Sequence, residues 1–173
     1  MTGCTVATAA LTLGLTVRDL EPEDLTELDW SGGPEHLQTL AEAWQAAVVG
    51  DVAVLVLVLP NGRLVGCGVV DFRPCGGVGL LTELSVHETL QRLGLGTALV
   101  AALEERIRAR GLGHARLHVE QDNPEAAALY RRLGYREVGS TLESWPAAGG
   151  HAGPQTYVTV SAVLEHRLGQ SAH

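Results

Sequence analysis

Apolar residues along this chain change their period from stretch to stretch, and the changes mark out its elements. From Val52 to Leu59 and from Leu64 to Phe72 they form short runs rich in valine and leucine, which predicts two buried strands. Pro60-Asn61-Gly62-Arg63 between them carries the Asn-Gly pair of a tight hairpin. Gly66 and Gly68 inside the second run predict a bulge or a close approach of backbone. Upstream, Leu15–Leu20 is a shorter candidate strand. Pro22–Leu25 then predicts a helix start, with Glu21 as its cap, acidic residues in the first turn, and a break at Ser31-Gly32-Gly33. Pro34 opens another helix: Leu37, Leu40, Ala41, Trp44, Ala47 and Val48 recur at helical spacing, and Gly50 stops it.

Val78–Val86 predicts a further strand, polar mainly at Thr82, Glu83 and Ser85. A loop, Gln91–Gly96, leads from it into a helix over Thr97–Arg110 whose acidic residues, Glu104 and Glu105, are assigned to the outer side. Strand, glycine turn and helix start together make an anion-binding device, because the first amides of a helix lack intrahelical partners and lie at its positive pole. A Walker loop is excluded, since Gly96 is followed by Thr97-Ala98 rather than by lysine and a hydroxyl residue. A dinucleotide fingerprint is excluded by Leu99 where its third glycine belongs. Downstream, His114–Glu120 predicts a strand, Asn123 caps a helix over Pro124–Leu133, and Gly134-Tyr135 leads to a strand near Arg136–Ser140. Thr141–Pro154 reads as a long Gly- and Pro-rich connection containing Trp145 and His151. In the last strand, Gln155–Leu164, Tyr157, Thr159 and Ser161 alternate with Val158, Val160 and Ala162.

Length and composition narrow the class. The 173 residues suit a single domain over residues 15–168 behind a frayed tail at residues 1–14. Twelve basic against twenty acidic side chains give a net charge of −8, which argues against a nucleic-acid partner and leans toward cationic substrates. Cys4, Cys67 and Cys75 have neither metal-ligand nor redox spacing and read as reduced thiols of a cytoplasmic protein, with Cys67 in the core. Met1–Leu15 lacks the basic n-region of a signal peptide. No apolar run approaches the ~20 residues that span a bilayer, so no membrane partner is expected. His114 and His118 share a strand face without a ligand pattern around them, and the histidines at 36, 87, 151, 166 and 173 have no motif; no metal site is expected.

Gln91-x-x-Gly94-x-Gly96 after Glu83-Leu84-Ser85-Val86, followed at a distance by Asn123-Pro124 through Tyr130 to Gly134-Tyr135, resembles the two central motifs of the GCN5-related N-acetyltransferases, the GNAT family. The resemblance covers Arg63 to Val138. It implies an α/β (α+β) fold, a mixed and mostly antiparallel sheet splayed at the acetyl-CoA site with helices on both faces. It also implies acetyl-CoA as co-substrate and a small-molecule primary amine as acceptor: an amino acid, a polyamine or an aminoglycoside-like compound. A protein N-terminus and a non-catalytic acyl-CoA-binding role are the alternatives, and a homodimer is one assembly the family suggests.

The same resemblance assigns residues. The backbone of Leu84, Ser85 and Val86 would bind the pantetheine arm like an added strand. Gln91, Arg92, Leu93, Gly94, Leu95, Gly96 and Thr97 would surround the pyrophosphate, and Asn123 would help place the coenzyme arm. Tyr130, seven residues after Asn123, matches the tyrosine that protonates the departing thiolate, for which a phenol of pKa about 10 is suited. Glu83 stands where many members carry an acid that activates the amine, often through water. His118 stands where ribosomal-protein alanine acetyltransferases carry a glutamate, twelve residues before the tyrosine. Both remain candidates for the base. The helices after the first strand would wall the acceptor pocket, with Trp30 or Trp44 touching substrate or packing in the core.

Overall fold

The computed structural model describes residues 14–147 and 155–169. The apolar runs fold as strands β1 (Thr16–Asp19), β2 (Val52–Val58), β3 (Leu64–Asp71), β4 (Val78–Val86), β5 (His114–Glu120), β6 (Arg136–Ala147) and β7 (Gln155–Arg167). The periodic segments become helices α1 (Pro34–Val48), α2 (Leu95–Ala109) and α3 (Pro124–Arg132). One sheet of order β1-β2-β3-β4-β5-β7-β6 results, antiparallel throughout except for the parallel pair β4 and β5. Alternation along the central strands feeds two cores. Leu55, Leu57, Leu81 and Leu117 pack with Leu99 and Leu103 of α2 on one face. Val54, Val56 and Cys67 pack with Leu40 of α1 on the other. Cys67 is fully buried, which pushes its thiol up to about 11 and keeps it protonated.

The parallel pairing stops at Leu81 opposite Leu117, after which β5 pairs with β7 alone. From Thr82 to Val86, β4 keeps only its β3 partner, so its other edge is free and the sheet forks there. At the fork Glu83 and Leu84 together oppose the single Gly68, and Glu83 adopts φ of 53°, a bulge that reverses which face the following side chains meet. Gly68 makes this fit: a Cβ there would lie 2.9 Å from Leu103 Cδ1 and 3.0 Å from Leu84 Cδ2. The close approach predicted at Gly66 and Gly68 is present at both, Gly66 lying against Leu57.

Three expectations are corrected. The helix predicted from Pro22 is two 3-10 turns, Pro22–Glu27 and Asp29–Ser31. The segment is too short to propagate an α-helix before Gly32-Gly33. It is pinned instead by Asp24, which accepts from the Glu21 amide at 2.8 Å and bidentately from Arg18 at 2.6 and 2.8 Å. Thr141–Ala147 is not connection but the outer part of β6, paired from Thr141 opposite Ser161 to Ala147 opposite Gln155. Cross-strand pairing there overrides Pro146; residues 148–154, with the glycines of the predicted connection and His151, lie outside the described residues. Glu104 does not face outward as Glu105 does. It is 8% exposed and accepts from the Tyr135 hydroxyl at 2.9 Å, with His166 Nδ1 at 2.9 Å and Arg108 at 3.4 Å.

Asp24 gives a pH test of this frame. The hydrogen bonds from Arg18 hold its carboxyl below the ordinary carboxylate range, outweighing a burial that acts the other way. A depressed folded-state pKa means stabilisation fully present above the unfolded value, near 4, and lost as pH falls through the folded value. Asp24→Ala should therefore cost about 1–2 kcal/mol at neutral pH. In urea melts that cost should shrink as pH is lowered through the carboxylate range.

Candidate active site

The loop after β4 is shaped by two left-handed residues, Arg92 at φ 65° and Gly94 at φ 86°. They turn the chain so sharply that α2 begins at Leu95, two residues before the predicted start. Ala98 N already bonds Gly94 O at 3.1 Å, which leaves the amides of Leu95, Gly96 and Thr97 without intrahelical acceptors at the positive pole of α2. The Leu95 side chain is 2% exposed and belongs to the core, so only its backbone serves the loop, whereas Leu93 is exposed. Gln91 Nε2 donates to Val86 O at 3.1 Å and ties the loop to the strand end. A cleft of about 700 Å³ runs from the free edge of β4, at Leu84 and Val86, past Gly94 and Gly96 to Asn123 and Leu129 on α3. Arg92, on one wall, is paired with Glu125 on the other at 3.1 Å. Asn123 Oδ1 caps α3 by accepting from Ala126 N at 3.1 Å.

Tyr130 lies on α3 among the core side chains, 9% exposed, edge-on to Tyr135 with ring centroids 5.7 Å apart. Burial pushes its phenol up to about 12. Among the described residues its hydroxyl has no hydrogen-bond partner. Its neighbour Leu129 lines the cleft.

On the other side of the forked strand a smaller cleft, about 440 Å³, is lined by Trp30, Ser31, Ser85, His87 and Glu88. The Trp30 ring leans on His87 at 5.2 Å, and His87 is held by Arg63 at 3.0 Å and Thr89 at 2.9 Å. Trp44 packs instead against the α1-side core.

The two candidate bases flank the mouth of the fork on opposite strands, Glu83 two residues and His118 one residue beyond the last paired position. Each has its own partner. Glu83 Oε2 lies 2.5 Å from His36 Nδ1, and His118 Nδ1 lies 2.8 Å from Glu143 Oε1. His36 Nε2 is in turn 3.0 Å from Ser31 Oγ, which donates to Leu28 O at 2.6 Å. His36, His87 and Glu143 escaped the sequence reading. No spacing signals them: His36 and Glu143 reach the fork from segments distant in sequence, and His87, next to Val86, has no motif around it. The one local hint was Gly32-Gly33-Pro34, which forces a helix start and sets His36 in its first turn.

Comparison with known proteins completes the description. The profile of the acetyltransferase (GNAT) family matches residues 17–135. A mycothiol acetyltransferase of Clavibacter michiganensis subsp. michiganensis is 38% identical over 100 residues, covering 57% of this chain and 30% of that protein. The aminoglycoside N(6')-acetyltransferase type 1 of Klebsiella aerogenes is 30% identical over 117 residues, covering 63% of this chain and 77% of that protein. A probable N-acetyltransferase 14 of Danio rerio is 36% identical over 97 residues, covering 56% of this chain and 34% of that protein. The matched part therefore spans about a third of the length of the zebrafish and Clavibacter relatives. Among solved structures, the ribosomal-protein-S18-alanine N-acetyltransferase from Escherichia coli superposes with a TM-score of 0.66 at 22% identity, covering 92% of this chain and 99% of that one. Spermidine N-acetyltransferase from Vibrio cholerae, in complex with CoA and spermine, does so with 0.67 at 20% identity, covering 91% and 96%. At such identities the likeness is one of fold.

Proposed function

We propose, from the premise that this chain belongs to the acetyltransferase (GNAT) family, that it transfers an acetyl group from acetyl-CoA to the primary amine of a small cationic molecule by direct attack in a ternary complex. The observation that carries this reading is the fork: an unpaired strand edge leading to a glycine turn with three free helix amides, all along one cleft. Such an edge suits an extended amide-bearing arm, and the amides suit a pyrophosphate. Acetyl-CoA supplies an activated thioester there. Backbone of Leu84, Ser85 and Val86 holds its arm, residues Gln91 to Thr97 surround its phosphates, and Asn123 borders the same cleft.

The remaining chemistry is proton handling. An ammonium must lose one proton before its nitrogen attacks, and the leaving sulfur gains negative charge as the carbon–sulfur bond breaks. Glu83 at the fork takes the first proton, with His118, oriented by Glu143, as the competing acceptor on the facing strand. Tyr130 serves the sulfur. The acceptor is a polyamine, an aminoglycoside or an amino acid, in keeping with the acidic balance of the chain and with the amine substrates named for the Klebsiella and Vibrio relatives.

Calorimetry with acetyl-CoA, followed in the same cell by thiol release on adding pooled polyamines, aminoglycosides and amino acids, tests the reading. Binding with release for one pool is the expected result. Binding without release from any pool would overturn the small-amine assignment. No binding would overturn the coenzyme cleft itself.

A further inference from the structure

Glu83 is a strand residue on a left-handed bulge, and His36 alone among the described residues pairs with its carboxylate. We infer that His36, seated by Ser31 and by the bare face of Gly32, is a positioning residue for Glu83: it holds Oε2 and leaves Oε1 as proton acceptor. The inference rests on the reading of Glu83 as the base.

Three features converge. The Leu28 carbonyl can only accept, so the 2.6 Å contact uses the Ser31 hydroxyl proton. Ser31 Oγ must then accept from His36, which places a proton on Nε2 at 3.0 Å. At the other nitrogen, Nδ1 lies 2.5 Å from Glu83 Oε2, an ion-pair approach that fixes that oxygen against the ring. Gly32 is the third feature. A Cβ there would lie 2.7 Å from His36 Cγ and 2.8 Å from its Cβ and Cδ2. Its φ of 170° is open to any residue, so the need for glycine comes from the ring alone.

Oε1 takes one proton from the ammonium while Oε2 stays held at the His36 ring, which is 17% exposed. The freed amine attacks the thioester, forming the carbon–nitrogen bond and breaking the carbon–sulfur bond. Its second proton goes to the departing sulfur.

One set of measurements tests this. Kinetics with spermidine and with kanamycin at saturating acetyl-CoA should show kcat roughly 10²-fold lower in His36→Ala, the loss typical of a misplaced catalytic group. Added imidazole should restore part of it, and acetyl-CoA affinity should not move. Gly32→Ala, which keeps all three functional groups, should share the loss. Parental kcat in His36→Ala beside an inactive Glu83→Gln would sink this inference alone, whereas parental kcat in Glu83→Gln would sink the assignment of Glu83 beneath it.

Discussion

Replacing Tyr130 by phenylalanine is expected to lower kcat roughly 10²–10³-fold, as loss of one preorganised hydrogen-bond donor does, while acetyl-CoA affinity stays at the parental level. The ring remains in place: its packing is edge-on to Tyr135 and nearly buried, and only the hydroxyl is lost. Burial sets the manner in which that hydroxyl acts. With its phenol pushed up to about 12, complete transfer of the proton to a thiolate of ordinary basicity, near 8.5 for a free thiol, runs uphill. In the proposed role the hydroxyl would therefore donate a hydrogen bond to the sulfur as charge develops and keep its proton, leaving the sulfur to take the proton of the attacking nitrogen. Because the phenol stays protonated over any workable assay range, the shape of the rate against pH should be the same in parent and variant. A variant with intact kcat and weakened acetyl-CoA affinity would make Tyr130 part of the coenzyme wall, and a lost pH limb would restore full proton transfer.

Glu104→Ala should be the most damaging change to stability, about 3–5 kcal/mol, the range for removing one partner of a buried charged cluster. Thermal unfolding should fall by roughly 10 °C for a chain of this size. The Tyr135 hydroxyl and the His166 and Arg108 side chains converge on this one carboxylate, and none is replaced by water at no cost when it goes. Removing a donor together with its acceptor should hurt less than the sum. In Glu104→Ala with Tyr135→Phe the coupling should appear as a deficit of about 1 kcal/mol or more from additivity, since contacting groups in one network interact on that scale. Strict additivity would show the three donors to be independent. The prediction bears on the site because Tyr135, fixed by Glu104, is the surface against which Tyr130 packs.

The contrast between these residues shows what a single sequence discloses. Strands β2 and β3, their Asn61-Gly62 turn and the Gln91–Gly96 loop were legible because periodicity and turn chemistry are local. The assignments of Glu83, Asn123 and Tyr130 come from the resemblance of two contiguous motifs to the GNAT pattern. Glu104 was misplaced because helical periodicity ranks an acid as outward. Its inward turn depends on donors brought by Tyr135 and His166, from beyond α2 and near the chain's end. The segment from Pro22 carried the proline and acids of a helix start, but Arg18 and Asp24 settled it as 3-10 turns through a pairing that propensity does not register. The outer half of β6 is missed for the converse reason: it is a strand there because β7 pairs with it. His36 lies in the same class, silent by itself and significant only across the fork.

The fork has a bearing on how the protein meets its surroundings. An unpaired inner strand edge is an unfinished piece of hydrogen-bonded sheet, and a molecule lying along it would supply the missing ladder from outside the chain. Occupancy and folding are then linked by mass action: at a hundredfold excess over its dissociation constant such a molecule adds about 2.7 kcal/mol to the folded state. Acetyl-CoA bound there would complete the sheet and stabilise the fold in step with its concentration, an effect readable as a rise in melting temperature on titration.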